Sequence, residues 1–452
     1  MTNSAVSNLN QATDYNLSKL NLLSSTSPSV INLKQYLVEL NYYEDIYNNT
    51  VSGKIVLSEG VGVILMASLK GSELIELEFT KGTGGNAISV AGSAKYFNIF
   101  SVSERHFDIS NNYESYVINF CSEDLMLAER YRVSKSYTNP MLISDIVKDV
   151  LDNYLQTGTP YEIEQTTRTY NFVLPNKKLF ETINWLASYA IPNNNKLGAD
   201  MLFFENAKGY QFKSLQTLYS QSPIYTYYYN PKNVLTGSYK TNMQPDNIYR
   251  LEVLSNFDTF DAIMKGTFSS RVITFDPLRR KKYTNDFDYK KYIPNAKVLN
   301  KSNDSIYDLT YKNRFQKYLN DPPPPNMDSG PLRLMISNSG TQQEEFLQTN
   351  VDKTNNTGYS NDFAIETILT NRVPQLSLSN YTKIKIIVPG NSDIIVGCIL
   401  SIKVYDVKPI SNKREDDKII SGNYLVTAAR HIVSPQGYTT VIELAKDSNI
   451  GY

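Results

Sequence analysis

The 452-residue sequence predicts a mainly β protein with an α+β segment, on three observations. Short apolar runs bounded by Gly, Asn and Ser recur towards both ends of the chain, at the spacing of strands and turns. Between them two stretches carry the apolar period of helices. The two histidine sites then mark an internal repeat. Arg105-His106 and Arg430-His431 are each followed, seven residues after the histidine, by a tyrosine, Tyr113 and Tyr438. At the same offset Phe100-Ser101-Val102 falls on Leu425-Val426-Thr427, and Phe107 on Ile432. Downstream the phases part, since Tyr116, Ile118 and Phe120 alternate one way and Ile442 and Leu444 the other. A one-residue bulge or a loop difference accounts for such a slip. Two copies of one β-unit are therefore expected far apart in the chain.

Residues 1–30 are Ser/Asn-rich and lack the basic start and apolar centre of a signal peptide, so an N-terminal arm is expected there. A first β-domain is expected over 31–135, with strands at Tyr36–Leu40, Gly53–Leu57, Val63–Met66, Glu73–Phe79, Tyr96–Val102 and Tyr113–Phe120. Their spacing fits an antiparallel barrel or sandwich. An α+β domain follows over 136–235. Asn139-Pro140 reads as a helix start, with Met141, Ile143, Ile146, Val147, Val150, Leu151 and Tyr154 on one stripe and an end by Gly158. A second helix starts near Asn176 and runs to Pro192, Trp185 flanking its apolar side. Met201–Glu205 and Tyr210–Leu215, joined through Asn206-Ala207-Lys208-Gly209, read as a hairpin.

A second β-region opens over 236–285, with strands at Ile248–Leu254 and Ala262–Phe275. Residues 286–374 read as an insertion and helical linker. The insertion carries a basic, tyrosine-rich stretch and four prolines, Pro322–Pro325, which favour an extended spacer over a docking peptide. The linker helix is expected over Phe363–Asn371, stopped by Pro374. Residues 375–452 complete the second β-region, with strands at Ile384–Val388, Cys398–Tyr405, Gly422–Ala429 and Thr439–Leu444 and turns at Pro389-Gly390 and Gly397. Lys413–Lys418 reads as a solvated loop.

Composition narrows the function classes. Lysines and arginines number 45 and so do aspartates and glutamates, so nothing recommends nucleic acid as a tightly held partner. No apolar run is long enough to cross a membrane, and a protein made and folded in cytoplasm is expected. Cys121 and Cys398 have no metal-ligand or redox spacing and read as inert core residues. Thirty-four tyrosines against 18 phenylalanines fit either protein-lined interfaces or plain strand propensity.

Catalytic constellations are scarce. A His-Glu zinc helix and a Gly-x-Ser-x-Gly elbow are lacking, and Gly82-Thr83-Gly84-Gly85 has no Gly-Lys-Ser/Thr ending to cradle phosphate. Neither a catalytic residue, a cofactor nor a metal is expected. Paired carboxylates of a glycosidase stay open, because that pairing is spatial. The residues singled out, Arg105, His106, Tyr113, Arg430, His431 and Tyr438, are read as repeat-marking structural residues rather than proton shuttles.

These segments in this order resemble the baseplate central hub proteins of contractile-tailed phages, a family related to the hub portion of type VI secretion spike proteins. The most specific stretch runs from Val388-Pro389-Gly390 and Gly397-Cys398-Ile399-Leu400 through Ser421–Val426 and Arg430-His431 to Ile442-Glu443-Leu444 and Asp447-Ser448. Tyr43–Tyr47 before Ser52-Gly53, and Gly71-Ser72-Glu73, resemble that family's opening strands. Val173-Leu174-Pro175-Asn176 through Ala190, with Phe203-Phe204-Glu205 and Phe212–Leu215, resemble its middle domain. The chain departs from the family's pattern in the insertion from about 286 to 360, whose prolines and basic, tyrosine-rich run do not map onto it. The resemblance implies two tandem tail-tube-type β-barrels and a homotrimer that adapts a hexameric tail tube ring to a trimeric central spike. It also implies a channel through which nucleic acid passes only as cargo, other baseplate proteins as further neighbours, and no membrane anchor. The competing readings are a tail-associated cell-wall glycosidase and a carbohydrate-binding adhesin.

Overall fold

A computed structural model describes residues 13–24, 30–82, 85–89, 96–108, 110, 112–194, 198–229, 245–256, 258–267, 269–276, 280–288, 296–300, 332–336, 365–405 and 416–449. The strands in chain order are β1 (Tyr15–Leu23), β2 (Ile31–Asn32), β3 (Leu37–Asp45), β4 (Ser52–Glu59), β5 (Leu74–Lys81), β6 (Ile88–Ser89), β7 (Phe97–Asp108) and β8 (Tyr113–Ser122). They continue with β9 (Arg132–Leu142), β10 (Tyr161–Ile163), β11 (Thr169–Lys178), β12 (Met201–Asn206), β13 (Gly209–Ser214), β14 (Tyr225–Tyr229) and β15 (Arg250–Asn256). The last are β16 (Ser269–Asp276), β17 (Lys281–Asp288), β18 (Leu332–Ile336), β19 (Thr382–Pro389), β20 (Ile399–Val404), β21 (Gly422–Ser434) and β22 (Gly437–Lys446). Helices are α1 (Val63–Ala67), α2 (Glu123–Arg130), α3 (Ile143–Asp149, widening into a π turn to Leu155), α4 (Leu179–Ala187), α5 (Leu215–Tyr219), α6 (Thr259–Lys265) and α7 (Ile365–Leu378).

The expected β-rich architecture is present. Fourteen of the described strands join into one sheet along the path β15-β19-β22-β21-β3-β4-β8-β7-β5-β1-β2, with β6, β14 and β20 branching from it, and β10-β13-β12 and β11-β9 form two smaller sheets. Its two halves meet where β21 pairs antiparallel with β3, from Ala428 opposite Asp45 to Val433 opposite Leu40. Each half buries its own core. One gathers Leu20, Leu40, Ile55, Phe79, Ile118 and Phe120, the other Ile384, Ile386, Leu400, Ile402, Val426 and Leu444. Burying such a side chain contributes about 1.5–3 kcal/mol, and the two halves share part of that gain, since Val433 and Tyr438 pack in the first core and Ile46 in the second. A third core, from Ala128 to Phe212, lies under α3 and α4. A small sheet of β16, β17 and β18 stands apart.

Several expected elements differ in kind. Residues 15–23, inside the expected arm, form β1, which pairs with β5 and buries Leu20 and Leu22. Val63–Met66 is the helix α1 rather than a strand. Four apolar residues read equally as either, and the decision is made outside them by Glu59, whose carboxylate accepts the N–H groups of Val61 (2.7 Å), Gly62 (2.7 Å) and Val63 (2.8 Å). Residues 262–265 of the expected strand 262–275 belong instead to α6, started by Asp258, which accepts the Asp261 N–H at 2.9 Å. The helix expected from Asn139 starts at Ile143, because β9 carries Pro140 in extended form to pair Leu142 with Thr169. Its stripe is as read, with Ile143, Ile146, Val147, Val150 and Leu151 fully buried. The helix expected from Asn176 starts at Leu179 for the same reason, since β11 runs on to Lys178 opposite Arg132. Pro374 lies inside α7 rather than ending it. Contacts across the proline hold both turns: Arg372 donates to Ala199 O at 2.7 Å, and Gln375 accepts the Ala199 N–H at 2.9 Å. Pro322–Pro325, most of the insertion, Thr83, Gly84 and Lys413–Glu415 lie outside the described residues.

Candidate functional site: a polar junction joining the cores

Where the cores meet, the inward-facing positions are polar. Glu44 sits on the buried phase of β3 with Leu40 and Tyr42. Its carboxylate accepts the N–H of Ala207, in the β12–β13 turn, at 2.7 Å and that of Val396, before β20, at 2.9 Å. One side chain of the first half thus holds backbone of the middle unit and of the second half. Burial pushes its carboxyl up to about 7, against the pull of the two N–H groups. Glu205 on β12 makes the reverse connection, accepting the Val51 N–H at 3.0 Å and the Ser122 hydroxyl at 3.1 Å.

Other sheltered polar groups tie segments together, Lys81 and Asp393 across the two halves and Lys446 and Asp447 within the second. Lys81 at the end of β5 is paired with Asp393, which also accepts the Tyr225 hydroxyl at 2.6 Å and the Asn86 N–H at 2.8 Å. Burial acts to raise the Asp393 carboxyl, but Lys81 and these donors hold it below the usual carboxylate range. Asp447 accepts the Leu299 N–H at 3.1 Å and the Ser448 hydroxyl at 2.8 Å, while burial raises it to about 6. Burial lowers Lys446 to about 8, and its ammonium donates to Ile419 O at 2.5 Å and Ser421 O at 3.0 Å. Each group has its partners, so these are fasteners rather than idle charges.

Arg105, His106 and Tyr113 lie on the hairpin of β7 and β8, and Arg430, His431 and Tyr438 on the hairpin of β21 and β22. His106 stands opposite Ser115 and Asp108 opposite Tyr113. His431 stands opposite Thr440 and Val433 opposite Tyr438. Histidine and tyrosine therefore share one diagonal of the ladder in both hairpins. Their surroundings differ. His431 and Tyr438 have no exposed surface, and Nδ1 of the imidazole lies 2.7 Å from the tyrosine oxygen. Burial drives the imidazole down to about 3, so it stays neutral at ordinary pH. His106 is exposed and Tyr113 is 44% exposed. Arg105 pairs with Glu114 at 2.7 Å, whereas Arg430 crosses to β3, its Nε donating to Asn41 at 2.8 Å.

Chemically the junction is poor in reactive parts. Glu44 and Glu205 influence each other, and both are sealed, at 2% and 4% exposure. Burial raises the thiols of Cys121 and Cys398 to about 11 and about 12, which withholds the thiolate. No group of three or more metal-ligating side chains occurs among the described residues. Sequence reading missed Glu44, Glu205 and Asp447 as fasteners. The available signal was phase: Glu44 takes an apolar position in the alternation of β3.

Comparison with known proteins bears directly on this architecture. No family model matches the chain. It is 25% identical over 427 residues to the probable baseplate hub protein gp334 of Vibrio phage KVP40, covering 92% of this chain and 90% of the phage protein. The chain resembles a phage baseplate hub. Two solved structures share the fold of this hub-like chain. The tail protein from Neisseria meningitidis MC58 matches with a TM-score of 0.51 at 11% identity, over 96% of this chain and 97% of its own. The 43 kDa tail protein of prophage MuSo2 from Shewanella oneidensis matches with a TM-score of 0.51 at 7% identity, over 95% and 98%. The β-rich hub-like fold read from the sequence is thereby supported along nearly the whole chain.

Proposed function

We propose that this chain is a structural virion protein, the central hub of a contractile-tail baseplate. In this reading it forms a homotrimer that adapts a hexameric tail tube ring on one side to a trimeric central spike on the other. The observation that carries it is the doubled sheet: one chain holds two halves, each with its own core, joined edge to edge through β21 and β3. Three such chains present six half-sheets to a six-fold ring and three units to a three-fold spike, with no second kind of subunit. Its location is then the virion tail baseplate, after assembly in host cytoplasm. The similarity to the Vibrio phage hub supports that placement.

The mechanism is mechanical. Cyclic contacts close the ring around a channel, and departure of the spike opens the way for the genome. Equal numbers of acidic and basic residues suit a lumen that lets a polyanion pass without gripping it. Interfaces built for permanence bury upwards of about 2,000 Å² per pair. No chemical step is required, so the chain is read as a non-enzyme with no cofactor. No described helix is long and apolar enough to cross a membrane.

Mass measurement of the assembled particle with imaging along its axis tests this reading. Three copies around a central hole are expected. A stable monomer inside the virion, or a ring of six identical chains, overturns it.

A further inference from the structure

The end of β5 and the segment after β19 bring an amine, a carboxamide and a carboxylate together across the two halves. Lys81 Nζ donates to Asn391 Oδ1 at 3.2 Å and to the Tyr225 hydroxyl at 3.0 Å, and it is hydrogen-bonded to the Asp393 carboxylate. A carbonyl carbon stands about 1.23 Å from its oxygen, so Asn391 Cγ lies within about 4.4 Å of the amine. The carboxamide is fixed at both ends. Its Nδ2 donates to the Tyr227 hydroxyl at 3.1 Å, its Oδ1 also accepts the Asp393 N–H at 3.1 Å, and the Asn391 N–H donates to the Thr440 hydroxyl at 3.1 Å. Asn391 is 8% exposed and the Lys81 side chain 18%. An ion pair needs only the lysine and the carboxylate. Here a nucleophile, an electrophilic carbonyl, a donor to its oxygen and a base stand in mutual contact.

We propose that Lys81 and Asn391 condense into an isopeptide bond, a covalent tie between the two halves of the chain, with Asp393 as the base. Asp393 takes a proton from the Lys81 ammonium, and the freed lone pair attacks Cγ while the Asp393 N–H steadies the charge developing on Oδ1. The Nζ–Cγ bond forms and the Cγ–Nδ2 bond breaks. Asp393 passes its proton to Nδ2 and takes a second from Nζ, so that the nitrogen leaves as ammonia, which carries the last proton away as ammonium. No oxidant or cofactor enters. Burial acts to lower the Lys81 ammonium, but Asp393 and Tyr225 hold it above the usual lysine range, so the neutral amine is scarce. Scarcity slows the step without preventing it. Groups fixed in contact react at effective concentrations of about 10⁵–10⁸ M, the step is needed once per chain, and loss of ammonia makes it irreversible. The bond joins residues 310 positions apart and makes permanent the contact that the ion pair already holds.

Intact mass spectrometry and peptide mapping of the purified full-length chain test this. The expected result is a mass below that of the sequence by one ammonia, with a branched peptide joining Lys81 to Asn391. Lys81→Arg keeps the positive charge beside Asp393 and is expected to show the full mass of its own sequence and two linear peptides. Asp393→Asn is expected to do the same, because the base is gone. A parent chain that stays at full mass through prolonged incubation, with Lys81 and Asn391 in separate peptides, overturns the proposal and leaves an ion pair. An ammonia loss that persists in Lys81→Arg overturns it too, since an asparagine closing on its own backbone sheds the same mass. Loss of one water with a branch to Asp393 overturns the choice of electrophile, and a branched peptide in Asp393→Asn overturns the role of the base.

Discussion

The β7–β8 hairpin carries His106 and Tyr113 on the same ladder diagonal on which the β21–β22 hairpin carries His431 and Tyr438, yet one pair faces solvent and the other has none. The difference traces to β3, a strand that belongs to neither hairpin. Laid along β21, it encloses His431, whose ring sits 6.0 Å from that of Tyr42. No described strand does this for His106. The two hairpins thus share a register of histidine and tyrosine, while the neighbour across the edge sets burial, and burial decides the chemistry of the imidazole.

The largest expected contrast is between the tyrosines. Tyr438 is fully buried against the Phe79 ring, at 5.7 Å between centroids, and lies over Gly390, where an added Cβ would come within 2.0 Å of it. Tyr438→Ala is expected to cost about 3–5 kcal/mol in denaturant unfolding, from lost transfer energy and the cavity left behind. Tyr113→Ala is expected to leave the midpoint of the isolated chain unchanged. Equal losses at the two sites would break the comparison.

Next in size is the strand that makes the difference. Glu44→Ala removes the acceptor from two buried N–H groups, those of Ala207 and Val396, and is expected to cost about 2–4 kcal/mol. Because Glu44 holds both the middle unit and the second half, denaturation followed by probes in separate cores should lose its coincidence. A single transition shifted by less than about 0.5 kcal/mol counts against Glu44 as a fastener.

The pH response sharpens the contrast further. The folded imidazole of His431 is lowered to about 3 from an ordinary 6.5, so the unfolded chain takes up its proton first as pH falls. Its contribution to stability is present above pH 6.5 and is lost towards pH 3, at about 1.4 kcal/mol per pH unit. Glu44, raised to about 7, works in the opposite sense, adding stability as pH falls from about 7 to 4.5. The His431 part is isolated by comparing the parent chain with His431→Phe between pH 5.5 and 4. Their difference should move in favour of the variant at about 1.4 kcal/mol per unit. A difference that stays flat with pH sinks the assignment.

Much of this was legible in sequence because it is carried by period and turn chemistry. The strand cores at Gly53–Leu57, Ile384–Val388 and Thr439–Leu444, and the Asn206–Gly209 turn, announce themselves through alternation and Gly/Asn punctuation. What misled was decided elsewhere in the chain. Pro140 reads as a helix start until Thr169 pairs with Leu142 two residues on, and Pro374 reads as a stop until Ala199 bonds to both sides of it. The junction was hidden because lone acidic residues in strands look solvated. Only the phase of Glu44 against Leu40 and Tyr42 marks it as inward. The edge pairing of β21 with β3 joins residues nearly the length of the chain apart, and no local pattern reports such a contact.

The smallest expected effect discriminates a structural role from a lytic one. Replacing His106 or His431 by Asn alters no group placed against a substrate, since one side chain is exposed on an open arm and the other sealed between β3 and the Tyr438 ring. Any lytic activity of the particle should therefore be unchanged by His106→Asn. His431→Asn should act only through stability, because the smaller amide cannot fill the imidazole's place or hold the same 2.7 Å contact with Tyr438. Lysis measured per folded particle tells the two apart. A selective loss at either histidine, in particles of normal mass and normal melting temperature, would give these residues a chemical role and break the reading of them as paired structural marks.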